Sequence, residues 1–143
     1  MIRLTSPEHW HARFDRAIDA MRTTPFAYGQ SDCALGLVAP VVLALTGEDV
    51  ATRFRGAYAD RQAAIAVMQA EGFANLADLV ASILPEIPEG QARARIGDVA
   101  AIPDVGPFGF ALGVFNGERC FVLTPKGLGT VDRLQATRAF FVG

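Results

Sequence analysis

Apolar side chains recur at helical spacing through the first half of the chain and at strand spacing after Pro88, so the pattern itself divides the sequence. Trp10, Phe14, Ile18 and Met21 form one stripe and predict an N-terminal helix with a single core-facing side. Ser6-Pro7-Glu8 marks its start, with proline at the first helical position and an acid in the first turn. A second helix is expected from about Asp32, capped by Ser31. Leu35, Val38, Val42 and Leu45 share one face and Leu37 and Val41 widen it, which suits a largely buried, central helix. Pro40 predicts a kink or break inside it, because the ring removes a ladder bond, and Gly47 is placed to end it. From Asp49 to Leu84 the pattern reads as two or three short helices. One spans Ala59 to Ala70, packs through Ile65, Val67 and Met68 and stops at Gly72. Another carries Leu76, Leu79, Val80 and Ile83.

Pro85 and Pro88 then mark a loop between a helical half and a strand-rich half. Val99–Ile102, Phe110–Phe115 and Arg119–Leu123 read as strands, followed by two shorter ones at Gly127–Val131 and Arg138–Val142. Phe115-Asn116-Gly117-Glu118 is a hairpin turn, expected as type I′ because Asn-Gly supplies the positive φ angles that type needs. Helices first and an antiparallel sheet afterwards is an α+β layout. With no repeat and no linker long enough to divide it, the chain is expected to be one domain over residues 1–143.

A 51% apolar and 20% charged composition is that of a globular protein and argues against disorder. A formal charge of −2 gives no electrostatic case for nucleic acid or an anionic membrane surface. No apolar run approaches a bilayer span, so no membrane insertion is expected. Met1-Ile2-Arg3-Leu4-Thr5 leads straight into the first helix rather than a signal peptide, which makes the cytoplasm the expected site of synthesis. Two cysteines give neither a disulfide framework nor a metal cluster. His9 and His11, the only histidines, stand two apart on a helix and point in different directions, so no metal or other cofactor is expected. Both read as solvated flanks of the Trp10 stripe.

One segment carries candidate chemistry. Cys33 falls in the first turn of the second helix, where unpaired backbone N–H groups and the helix dipole favour a thiolate. The plain alternative is a small buried hydrophobe. Phe26, Tyr28 and Asp32 stand beside it and could line a groove, although aromatics near a helix start also serve as packing.

"TPFAYGQSDCALGLV" (residues 24–38) resembles the "TPY-x-W/Y-G-G…DCSGLV" block of the NlpC/P60 cysteine peptidases, with a shorter link between glycine and the Asp-Cys pair. "ARIGDVAAI" (94–102) resembles that family's "R-x-GDL-x-x-F" strand, and "ALGVFNGERCFVL" (111–123) its next hairpin, "HVGIY-x-G-(NG)-x-F-x-H". The three blocks span about two thirds of the chain in the family's order. A closer resemblance is to a small branch found among phage tail and prophage genes. That branch shares "F-x-W/Y-G-x-x-DC", "TG-x-D…FRG-x-Y", "GDV…ALG" and a final "GL-x-x-V". The middle block appears here as Thr46-Gly47-Glu48-Asp49 and Phe54-Arg55-Gly56-Ala57-Tyr58. The resemblance implies a papain-like NlpC/P60-type fold, N-terminal helices on a small antiparallel sheet, with Cys33 at the nucleophile position.

It also exposes a gap. The family's base is a histidine opening the second strand, and here Ala111 holds that position; Leu123 holds that of the residue orienting the base. A one-residue slip offers Phe110 or Thr124, of which only Thr124 is polar, and it is no base. Realignment supplies no histidine, because none follows His11. Losing one member of a nucleophile–base pair costs several orders of magnitude in rate, and a nucleophile without an acid cannot protonate its leaving group. Asp98 is a carboxylate in the right block, but accepting backbone hydrogen bonds at the start of a strand is its simpler role. Strand parity places Cys120 on the face away from residues 121 and 123, against a Cys33–Cys120 bond. Three functions therefore compete. The first is a catalytically degenerate domain kept as an assembly part of a phage tail tip or baseplate, with other tail proteins as partners and the virion tail as its destination. The second is a working peptidoglycan hydrolase with an unrecognised base, and the third a peptide- or glycan-binding module.

Overall fold

The computed structural model describes residues 9–142, so Ser6-Pro7-Glu8 and the Met1–Thr5 lead lie outside the described residues. Helix α1 covers Trp10–Arg22 and buries Phe14, Ile18 and Met21, as the stripe requires. His9 and His11 are exposed, and the His11 ring stacks on Trp10 with centroids 3.6 Å apart.

The second helical element is not one α-helix. Cys33–Val38 is a π-helical segment and only Ala39–Thr46 (α2) is α-helical. Pro40 supplies the cause, since it has no N–H to continue the ladder; Ala39 N–H instead reaches back to the Ala34 carbonyl. The predicted break is thus a change of helix type. The cap also differs from expectation. Asp32, not Ser31, caps the segment, its carboxylate accepting from the Ala34 and Leu35 amides, while the Ser31 hydroxyl donates to the Pro25 carbonyl. An ionised carboxylate makes the stronger bonds to the free amides, which decides between adjacent candidates. Leu37, Val41 and Val42 are fully buried, so this element is the centre of the helical layer. Gly47 closes it in the left-handed conformation at φ 80°.

After α2, turns lead to α3 (Arg61–Ala70), which is capped by Asp60 and so begins two residues later than its alanine-rich pattern suggests. Asn75 caps α4 (Leu76–Ala81). The strands are β1 (Val99–Pro103), β2 (Phe110–Asn116), β3 (Arg119–Thr124), β4 (Gly127–Asp132) and β5 (Arg138–Phe140). They form one sheet in the order β4-β3-β2-β1-β5, antiparallel throughout. The last strand ends at Phe140, short of the expected Val142. The β2–β3 turn is shifted by one residue from expectation. Asn116 pairs with Arg119, leaving Gly117 and Glu118 as the loop. Gly117 has φ 73° and no non-glycine residue among those described has positive φ, which is the type II′ pattern.

The chain is therefore α+β, with helices packed on a five-stranded antiparallel sheet. Strand parity sorts the core. Val99, Ala101, Leu112, Val114, Phe121 and Leu123 face the helices, while Ala100, Ile102, Phe115 and Cys120 face a second, smaller cluster with Ile87 and Ala136. Arg133 closes that cluster, donating to the carbonyls of Gly117, Gln91 and Ala94. Cys120 lies on the side away from Leu123, as parity predicts, and both cysteines are free thiols. Among the described residues no helix is long and apolar enough to cross a membrane.

Candidate functional site

The head of the π-helical segment is built on one carboxylate. Asp32, 4% exposed, accepts four hydrogen bonds. Its Oδ1 takes the Ala34 and Leu35 amides at 3.0 and 2.9 Å, and its Oδ2 takes the Gly29 amide at 3.0 Å and the Tyr58 hydroxyl at 2.6 Å. A carboxylate offers about four lone-pair sites, so this one is saturated and has no acceptor left for a thiol proton. Gly29 and Tyr58 also meet through the backbone. The Gly56 amide donates to the Gly29 carbonyl, and any side chain at residue 29 would collide with the Tyr58 carbonyl. The "FRGAY" stretch thus has a local purpose: it docks on the turn before Cys33 and holds Asp32 from outside.

Cys33 follows Asp32 and is partly exposed. Burial pushes its thiol up to about 11, and the Asp32 charge adds to that. The N–H groups of Leu112, Ala34 and Cys33 itself pull the other way without winning. The Leu112 amide belongs to β2, so the sheet reaches the thiol through backbone one residue beyond Ala111. On the far side, Gly36 is pressed against β3. A methyl group there would lie 2.9 Å from Leu123 Cδ2 and 2.8 Å from the Ser31 backbone.

Cys33, Ala111, Leu123, Phe26, Tyr28 and Asp32 all line one cavity of about 270 Å³. The structure therefore brings together every site residue expected from sequence. Phe26 and Tyr28 pack edge to face, with centroids 5.0 Å apart and rings at 89°. Residues adjoining the two sheet positions do not supply a base. Thr124 donates its hydroxyl to the Gly127 carbonyl inside the β3–β4 turn, and the Phe110 ring lies 5.8 Å from the Arg138 guanidinium. Tyr58 keeps its proton, because burial and its bond to Asp32 hold the phenol well above its ordinary value. Neither His9 nor His11 lines the cavity. Asp98 is spent elsewhere: its buried carboxylate accepts from the Arg95 and Val142 amides at 2.9 and 3.0 Å, tying the C-terminal segment to the start of β1. Among the described residues no group of three His, Cys, Asp or Glu side chains could hold a metal ion.

Sequence reasoning missed the contributions of Tyr58, Gly36 and Arg61. Gly36 carried a usable signal, since a glycine inside an apolar helical run marks a close approach. Tyr58 stood in the "FRGAY" block of the resemblance, but nothing local gave its bond to Asp32, and Arg61 carried no signal, because both positions at the cavity depend on how the 54–61 segment folds back.

A family model described as Domain of unknown function (DUF6950) matches residues 5–142. No curated protein and no solved structure matches the chain.

Proposed function

The chain belongs to the DUF6950 family, and from that premise we propose that it is a catalytically degenerate relative of the papain-like NlpC/P60 cysteine peptidases. Its role in this reading is structural, as an assembly part of a phage or prophage-like tail tip or baseplate. The observation that carries degeneracy is the surroundings of the thiol. Cys33 heads its helix and shares a cavity with Ala111 and Leu123, but the one carboxylate beside it is saturated and no imidazole lines the cavity. A thiol that titrates near 11 is almost wholly protonated at neutral pH. The motif order and the two sheet positions that share the Cys33 cavity support the kinship, and the tail-associated branch of the resemblance supports the setting.

The activity test is incubation of the full chain and of Cys33→Ser with peptidoglycan fragments at neutral pH. Turnover by the parent that disappears in the variant overturns degeneracy in favour of a hydrolase; no turnover by either supports it. The assembly test is whether the chain sediments with phage tail particles when it is produced together with tail proteins. Recovery only as an unassociated protein counts against the structural role.

A further inference from the structure

The Cys33 cavity has a composition that neither a peptidase relic nor a glycan groove requires. Its inner wall is apolar, with Leu112 from β2, Ala64 and Met68 from α3, and Val80 and Leu84 from and just after α4 all buried around it. The cavity thus runs from the thiol into the space between the helical layer and the sheet. Glycans need convergent polar groups, which this floor lacks. Its rim is polar: Tyr28, Arg61, Asp104 and Thr124 line the same cavity at partly or fully exposed positions.

Two of those rim groups are donors with capacity to spare. Arg61 opens α3, and no carboxylate among the described residues pairs with it. Its planar group lies 6.0 Å from the centre of the Phe108 ring, which orients it without using its N–H groups. The charge of Arg61 opposes the burial that raises the Tyr28 phenol, so the two act on the same space. Among the described residues the Tyr28 hydroxyl has no hydrogen-bond partner of its own. An apolar cavity with a guanidinium and a phenol O–H at its rim is complementary to an apolar chain ending in an anionic head, and a carboxylate is the smallest such head with the planar geometry that matches a guanidinium.

We infer that this cavity binds a single-chain fatty carboxylate, its alkyl chain running between α3, α4 and β2 and its carboxylate held at the rim by Arg61 and Tyr28. Asp104 is the one rim group that works against such a head, being of like charge. The proposal does not rest on the tail-protein reading and stands or falls separately from it.

The test uses the full chain and three soluble probes of equal chain length: dodecanoate, dodecanol and dodecyltrimethylammonium, each below its micelle concentration, by titration calorimetry. The proposal expects one dodecanoate per chain, weaker dodecanol binding and weakest binding of the cation. Arg61→Gln weakens dodecanoate about tenfold, as loss of a charge-assisted pair should, and leaves dodecanol unchanged. Asp104→Asn moves dodecanoate in the opposite direction. Ala64→Leu and, separately, Ala111→Leu fill the cavity from two elements and abolish binding of both chains. Circular dichroism identifies any variant that fails to fold, and the other then decides. Occupancy also shields Cys33, so dodecanoate slows its alkylation in the parent. Absence of dodecanoate binding, binding indifferent to both filling variants, or equal binding of carboxylate and cation overturns the proposal. So does binding confined to vesicles of diacyl phosphatidylglycerol, which would make the surface a membrane contact.

Discussion

Asp32→Asn is the most informative single change, because it alters one buried group with two independent readouts. The amide oxygen can keep the Ala34 and Leu35 amides on the Oδ1 side. On the Oδ2 side an NH₂ group replaces an acceptor. The Tyr58 hydroxyl can turn and accept from it, but the buried Gly29 N–H then faces another donor and loses its partner. An orphaned buried donor costs about 1–3 kcal/mol, and the bonds that remain fall from charge-assisted to neutral strength. The expected loss is about 2–4 kcal/mol, a large share of the 5–15 kcal/mol (about) that holds an ordinary domain together. Urea unfolding followed by circular dichroism measures it. The second readout runs the other way. The Asp32 charge helps raise the Cys33 thiol, so removing it lowers that value from about 11 and speeds alkylation at fixed pH, measured under native conditions. A loss below about 0.5 kcal/mol, within the range of an ordinary surface substitution, would show that the four bonds to Asp32 do not hold the head of the segment in place. Slower alkylation in a folded variant would refute the electrostatic reasoning.

Three further outcomes are expected. Gly36→Ala forces a methyl against the Ser31 backbone and Leu123, and destabilises by about 1–3 kcal/mol in the same unfolding assay; a neutral result would mean that the helix–sheet contact yields easily. Glu86 is held below the usual carboxylate range by Arg138, which bonds it at 2.8 and 2.9 Å. Its contribution is present above the unfolded pKa and lost as pH falls through the folded one. Glu86→Gln therefore costs at most about 1 kcal/mol at neutral pH, and unfolding curves of parent and variant converge on acidification; a gap that persists in acid excludes the ion pair as its source. In the native state at neutral pH, iodoacetamide labels Cys33 on the order of a hundredfold more slowly than free cysteine, and Cys120 more slowly still because it is fully buried; rapid native labelling of Cys33, read by mass spectrometry, contradicts the raised thiol.

Much of this arrangement was legible in the sequence, because the relevant signals are local. The Phe14–Ile18–Met21 stripe, the Gly47 stop and the strand periods each act over a few residues. The alternation within β3 suffices to put Cys120 and Leu123 on opposite faces. What was illegible turned on competition or distance. Ser31 and Asp32 are adjacent candidates for one cap; the carboxylate makes the stronger bonds to the free amides, and the approach of Gly29 and Tyr58, distant in sequence or fixed by the fold, adds two more. The II′ turn is a register effect: pairing Asn116 with Arg119 moves the loop one residue past the Asn-Gly dipeptide that suggested I′. At the site, the relation of Cys33 to Ala111 and Leu123 followed from the motif order. The apolar depth of the cavity did not, since it is made by α3 and α4 folding over, and nothing in their own stripes says which sheet residues they will meet.

The wall that covers Cys33 and Leu37 has a consequence for the order in which the protein is made. The central helix is complete in the nascent chain by Gly47, but its partner Leu123 on β3 is translated 90 residues after Cys33 (123 minus 33). At about 5–20 residues per second, the 76 residues from Gly47 to Leu123 (123 minus 47) keep the most apolar helix waiting roughly 4–15 s for β3. During that interval α1 is the one large partner already synthesised, and α3 and α4 arrive before any strand. The helical half must therefore survive on the ribosome as a loosely closed layer with an open underside, the kind of surface that recruits chaperones. Slow synthesis through residues 85–98, between the last helix and the first strand, would lengthen that exposure and lower the yield of folded protein even though no contact in the finished structure had changed.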